Sequence, residues 1–177
     1  MLNEELGRQA LDGSLRNCKN LILRGANTKA RDSQGMAPIH WASINGHKSI
    51  VLLLLSHGVL INDANKEGWT ALHFSAGKGD LSFLKELICL GASMNIKDDS
   101  GDTPFHKAFA NGRTNICLHL LQLGADAGAI NHLLLDNDHQ VKNPECFAAV
   151  RAWIAKKSAN AAIAAVLNPT TSLTAPL

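Results

Sequence analysis

The chain has 177 residues, 46% of them hydrophobic, with 17 basic against 15 acidic side chains and a net charge of +2. That balance gives none of the basic footprint of a nucleic-acid binder and no attraction to an anionic membrane surface. The longest aliphatic run, Ile50 to Leu55, is far shorter than the about 20 residues a membrane-spanning helix needs.

In chain order, residues 1–31 read as an incomplete first unit. Leu15 to Leu23 carries apolar residues at helical spacing, and Gly13 and Gly25 lie 33 residues before Gly46 and Gly58. The opening MLNEELGRQALDG has no basic-then-apolar leader pattern. The chain is therefore expected to be intracellular and cytoplasmic, with Cys18, Cys89, Cys117 and Cys146 reduced. No C-x-x-C pair occurs, and Cys18 and Cys117 fall at the apolar repeat position of Val51 and Leu84, so both are expected in the core.

Three gapless repeats follow, at 32–64, 65–97 and 98–130. Gly35, Gly68 and Gly101 are spaced 33 apart, and so are His40, His73 and His106. Each repeat reads as a turn, a short helix, a tight turn and a longer helix. Thr70 and Thr103 suit a helix start, and Pro38 and Pro104 suit the first turn. Ala37 replaces the threonine in the first repeat, which predicts a start weaker by about 1 kcal/mol. The second helices are predicted from Ile50, Val51, Leu54 and Leu55, from Phe83, Leu84, Leu87 and Ile88, and from Ile116, Cys117, Leu120 and Leu121.

Residues 131–157 form a worn closing unit. Leu134 stands where the turn glycine would be, yet Phe147, Val150, Trp153 and Ile154 keep the apolar register. A helix is expected to begin at Pro144 and Glu145, with Trp153 as its core anchor. In 158–177, SANAAIAAVL can prolong that helix, and NPTTSLTAPL is expected to be loose.

The strings APIH, TALH and TPFH, each followed by a small-residue helix, with GH, GD or GR and then LG-A, resemble the ankyrin repeat and its T-P-L-H-x-A signature. The resemblance covers residues 2 to about 157. It implies an all-α solenoid of stacked helix-turn-helix units, with β-turn or hairpin fingers projecting at one side and shorter inner helices lining a concave face. It also implies that the periodic histidines hydrogen-bond the turn backbone and the capping hydroxyl. Ala127 and Gly128 replace the Met94 and Asn95 of the previous repeat and are expected to weaken the third finger.

No catalytic motif emerges. Three histidines one repeat apart, about 10 Å, cannot share a zinc ion that needs every ligand within about 2.1 Å. No H-E-x-x-H, G-x-S-x-G or phosphate loop occurs. The chain is expected to be no enzyme and to need no metal or cofactor. The resemblance implies instead a monomeric module that binds a protein partner, with no nucleic acid or membrane involved. Its expected contact residues at the finger tips are Ser33, Gln34, Met36, Lys66, Glu67, Trp69, Asp99, Ser100 and Asp102. On the inner helices they are Trp41, Ile44, Asn45, Phe74, Lys78, Lys107 and Asn111. Trp69 breaks the period, standing where Met36 and Asp102 stand, and reads as an exposed anchor; the alternative is that it lies flat on the next finger. Alternative roles are a regulatory or inhibitory subunit of an enzyme, or a secreted effector acting in a host cell, with 158–177 as a binding or export segment. A weaker reading gives the closing unit an activity near His132 and His139. The resemblance further marks Asn62 and Asn95 for asparaginyl hydroxylation, each with a leucine eight residues before it.

Overall fold

The computed structural model describes residues 1–126 and 144–167, with side chains to residue 160. Helices α1 (Leu2–Asp12), α3 (Pro38–Ile44), α5 (Ala71–Lys78) and α7 (Pro104–Ala110) pack in succession as an inner layer. Helices α2 (Leu15–Leu23), α4 (Lys48–Ser56), α6 (Leu81–Cys89) and α8 (Thr114–Gln122) lie behind them as an outer layer. Helix α9 (Pro144–Leu167) follows and packs on α8. Among the described residues there is no strand, so the fold is all-helical as expected.

The apolar period explains the layers. Val51, Leu84 and Cys117 are fully buried between them, with Leu54, Leu87 and Leu120 one turn on. From the inner side Ile39, Leu72 and Phe105 complete one continuous core. Truncating Ile39, Phe105 or any of these leucines to alanine removes buried carbon that no neighbour replaces, at roughly 2–5 kcal/mol each. Cys18 and Cys117 are both buried, as the register predicts. Pro144 begins α9, where the helix start was expected, and Cys146 and Val150 are fully buried beneath it. Trp153 is half-buried rather than enclosed, with the Lys157 ammonium 4.9 Å from its ring centroid. Leu134, His132, His139, Ala127, Gly128 and the NPTTSLTAPL segment lie outside the described residues.

The short helices begin in one recurring way. The backbone N–H groups of Ala37, Thr70 and Thr103 donate to Nδ1 of His40, His73 and His106, at 2.9, 3.1 and 3.0 Å. The Thr70 and Thr103 hydroxyls also reach that nitrogen, at 2.9 and 2.8 Å. A ring nitrogen facing an N–H must accept, so the other nitrogen carries the proton. Accordingly Nε2 of His40 donates to the Asp63 carbonyl at 2.9 Å, and Nε2 of His73 to the Asp102 carbonyl at 3.2 Å. All three rings are buried, and burial disfavours the imidazolium, which holds their pKa below the ordinary 6.5. His40 and His73 are thus neutral structural clamps between one unit and the next.

The candidate partner-binding face

The fingers are built from one side chain each. Asp32 Oδ1 accepts from the backbone N–H groups of Gln34 and Met36, both at 2.9 Å. Asn65 Oδ1 does the same for Glu67 and Trp69, and Asp98 Oδ1 for Ser100 and Asp102. A backbone pair closes each finger: Asp32 N–H to Met36 C=O, Asn65 to Trp69 and Asp98 to Asp102. Such Asx side chains replace a strand ladder in a tight turn.

The fingers stack closely. Gly35 (φ +74°) and Gly68 (φ +79°) sit in the left-handed region. A Cβ at Gly68 would come 2.9 Å from Asp98 Cα, and one at Gly35 would come 2.9 Å from the Lys66 backbone nitrogen. Both the sign of φ and the space therefore require glycine. Lys66 Nζ donates to the Ser33 carbonyl at 2.9 Å, and the Asp99 N–H donates to the Glu67 carbonyl at 3.0 Å. Ser33, Gln34, Lys66, Glu67, Asp99 and Ser100 stay exposed along this edge.

Three expected contact residues are placed differently. Met36 is only 5% exposed, and the Asn65 amide points at its sulfur from 3.3 Å. Trp69 is half-buried and does not stand clear of the finger. It folds back over the inner helices, 5.2 Å from the Phe74 ring and 4.6 Å beneath the Lys107 ammonium. Lys107 in turn is 16% exposed and lies 2.7 Å from Asp98 Oδ2 and 2.9 Å from Asp102 Oδ2. Its charge is matched inside the stack and is not offered to solvent. The reason is the hairpin closure: the residue after the turn glycine points back toward the helix it precedes, a geometry that residue identity alone does not reveal.

The Asp98–Lys107 pair is the most buried ionic contact among the described residues. The Asp98 side chain is 1% exposed, and its Oδ2 has the ammonium as its ion-pair partner and no further hydrogen bond. Burial alone would raise the Asp98 carboxyl. Lys107 and the Asp102 and Ser100 N–H groups outweigh it and hold the pKa below the ordinary 3.8. Burial would likewise lower Lys107, and the two carboxylates outweigh it and hold its pKa above the ordinary 10.5.

Behind the fingers, Trp41, Ile44 and Phe74 are half-buried on α3 and α5, and Trp41 Nε1–H donates to Asp32 Oδ2 at 3.0 Å. At the far ends of the inner helices, Asn45 Nδ2 donates to the Leu11 carbonyl and Asn45 Oδ1 accepts from Lys78 Nζ, both at 2.9 Å. Arg113 Nε donates to the Gly77 carbonyl at 3.1 Å, and Asn111 is exposed beside it. None of α3, α5 or α7 contains an acidic residue. The face therefore has an apolar floor and a basic far edge at Lys78 and Arg113. Its finger edge ends acidic, at Glu67 and Asp99.

A cavity of about 320 Å³ opens between α1, the first finger and α3, lined among others by Gly7, Leu11, Arg31, Met36, Pro38 and Trp41. The α1 wall was missed from sequence, although the signal was present. Gly7 lies 33 residues before His40 and Arg8 33 before Trp41, so the period runs back into α1. Glycine in the histidine place leaves room for Trp41, whose Cδ1 would lie 3.4 Å from a Cβ there.

A family model described as ankyrin repeats (3 copies) matches residues 6–98 and again residues 59–131. The chain belongs to the ankyrin-repeat family. Ankyrin repeats are general protein–protein interaction modules and are typically non-catalytic. This ankyrin stack conforms in its turn glycines, its T-P-L-H histidines and its two helical layers. Among its described residues, no three His, Cys, Asp or Glu side chains are placed to share a metal ion. Nor is any described helix long and apolar enough to cross a membrane. Asn62 and Asn95 are exposed and serve as ties between units. Asn62 Oδ1 accepts from the Ser93 N–H at 2.9 Å, and Asn95 Oδ1 from the Asp126 N–H at 3.2 Å.

Proposed function

We propose that this ankyrin stack is a non-catalytic adaptor that holds a protein partner across α1, α3, α5 and α7 and along the finger tips. The observation that carries the reading is the continuity of that face. An apolar floor at Trp41, Ile44 and Phe74 opens into the α1–α3 cavity and is flanked by exposed polar groups on both edges. A partner segment anchors an apolar side chain beside Trp41, while Lys66 and Lys78 fix its register through charge. The units are clamped by His40 and His73, and the third finger is tied to its helix by Asp98–Lys107, so the surface is preorganised and little ordering opposes binding. Met36, Trp69 and Lys107 act by shaping the face, and Ser33, Gln34, Ile44, Asn45, Lys66, Glu67, Lys78, Asp99, Ser100 and Asn111 by touching the partner.

Photo-crosslinking side chains placed at positions 66 and 78, and at the exposed outer-helix position Lys85 as control, test this in the native cell. Capture of one protein through 66 and 78 and not through 85 is the expected result. Equal or stronger capture through 85 would overturn the assignment of the face. We further propose Asn62 and Asn95 as hydroxylation sites. The added oxygen would be read by mass on peptides from a hydroxylase-competent cell, and its absence from both would dispose of the idea.

A further inference from the structure

Position 146 breaks the repeat in a way that the interaction function does not use. The residues standing at the same place in the three earlier units are His47, Asp80 and Arg113, which immediately precede the outer helices α4, α6 and α8. Asp80 and Arg113 are exposed and His47 half-buried, whereas Cys146 is fully buried. The cause is the early start of α9. Pro144 begins the helix, so position 146 falls inside its first turn and faces the stack. There it meets Cys117 of α8, likewise fully buried, with the two sulfurs 3.9 Å apart and sharing an S–H contact. In the earlier units the Cys117 place holds Cys18, Val51 or Leu84, and the place opposite holds His47, Asp80 or Arg113, so no other junction described here pairs two thiols.

We propose that Cys117 and Cys146 are a modification site: a dithiol that hydrogen peroxide converts into a reversible disulfide, which latches α9 onto the ankyrin stack. The chemistry balances without further components. The Cys146 thiolate attacks the peroxide O–O bond and becomes a sulfenic acid, releasing hydroxide. The Cys117 sulfur then attacks the Cys146 sulfur, the S–O bond breaks, and the S–S bond forms. The two released hydroxides take the two thiol protons as water, so the peroxide is reduced and the dithiol oxidised. The shared hydrogen bond assigns the order. Once Cys146 is ionised, the neighbouring Cys117 S–H steadies its thiolate and draws Cys146 below the ordinary thiol value, while the same contact, and burial after it, hold Cys117 far above. Access comes through α9 itself, which rests on α8 and, through Phe147, on Phe109 of α7. Opening of this last helix exposes both sulfurs together, and closing it sets them in contact.

The full chain with Cys89→Ser, which removes the exposed thiol, is treated with hydrogen peroxide and digested without reductant. A peptide joining Cys117 to Cys146 is expected, together with a rise in melting temperature of roughly 5 °C or more, as closing a long loop gives. Dithiothreitol should reverse both. Cys117→Val, which copies the natural occupant Val51 of the same position, keeps the packing and should lose both effects. The proposal is overturned if no such peptide forms at a peroxide dose that oxidises Cys89 in the unaltered chain. It is equally overturned if the link forms without raising the melting temperature, or if Cys117→Val shows the same rise.

Discussion

The first and third fingers place an aspartate at the same point of the repeat and meet it with different chemistry. Asp32 is answered by the indole N–H of Trp41 and Asp98 by the ammonium of Lys107, from the equivalent position on the inner helix. The middle finger has Phe74 there, which offers no donor, and it carries the neutral Asn65 in place of an aspartate. The Asn65 amide turns instead to the Met36 sulfur and the Glu67 carboxylate. The comparison teaches that the Asx position has two tasks. Its Oδ1 builds the finger in all three repeats. Its other atom must find whatever the inner helix supplies, because a buried carboxylate without a donor is costly. Charge at the finger and donor on the helix change together.

The largest way to break this comparison is Lys107→Ala. It leaves the Asp98 carboxylate buried without its cation, and stability should fall by about 3 kcal/mol in a denaturant titration. A loss under about 1 kcal/mol would show that the two backbone N–H groups suffice. Adding Asp98→Asn to Lys107→Ala should recover much of the loss, which reproduces the solution of the middle finger.

Acidification comes next, and it acts on both kinds of unit. The three histidines have folded pKa values below the unfolded 6.5, so the unfolded chain binds more protons. Their stabilising contribution is complete above pH 6.5 and is lost as pH falls from there toward the folded values. A second loss begins near pH 3.8, as Asp98 is driven toward protonation. Melting temperatures that stay flat between pH 7 and 5 would contradict the neutral-clamp assignment; that pH window spans the ordinary histidine value.

Trp41→Phe places the middle finger's residue in the first repeat beside an aspartate that it cannot serve. It should cost about 1 kcal/mol, the worth of one hydrogen bond, and Asp32→Asn in the same chain should cancel part of that. The smallest effect expected is a gain. Ala37→Thr supplies the hydroxyl that Thr70 and Thr103 present to their histidines, and should add about 0.5–1 kcal/mol.

The period made most of the fold readable. The helix leucines, the turn glycines and the T-P-L-H histidines repeat because packing and backbone geometry demand the same residue type at each turn of the stack. Leu15 to Leu23 was legible as a helix for that reason. Helix α1 was not, because it has neither the threonine nor the histidine of the motif, and its register shows only when Gly7 and Arg8 are counted forward to His40 and Trp41. Among the expected contact positions, the direction in which three side chains point was misread. Trp69 stood out by breaking the period, which marked it as special without telling whether it points to solvent or to Phe74. Met36 is buried by contact with Asn65, a residue 29 positions later, and Lys107 is neutralised by Asp98 and Asp102 of its own finger while lying over Trp69 of the previous repeat. Such choices between neighbours depend on three-dimensional contact, and spacing along one chain does not encode them.

Crosslinking from positions 66, 78 and 85 tests most directly whether a partner sits on the inner face and finger tips. Capture of the same protein from 66 and 78, with none from 85, is the predicted result. Capture from 85 at an equal or higher level would contradict it.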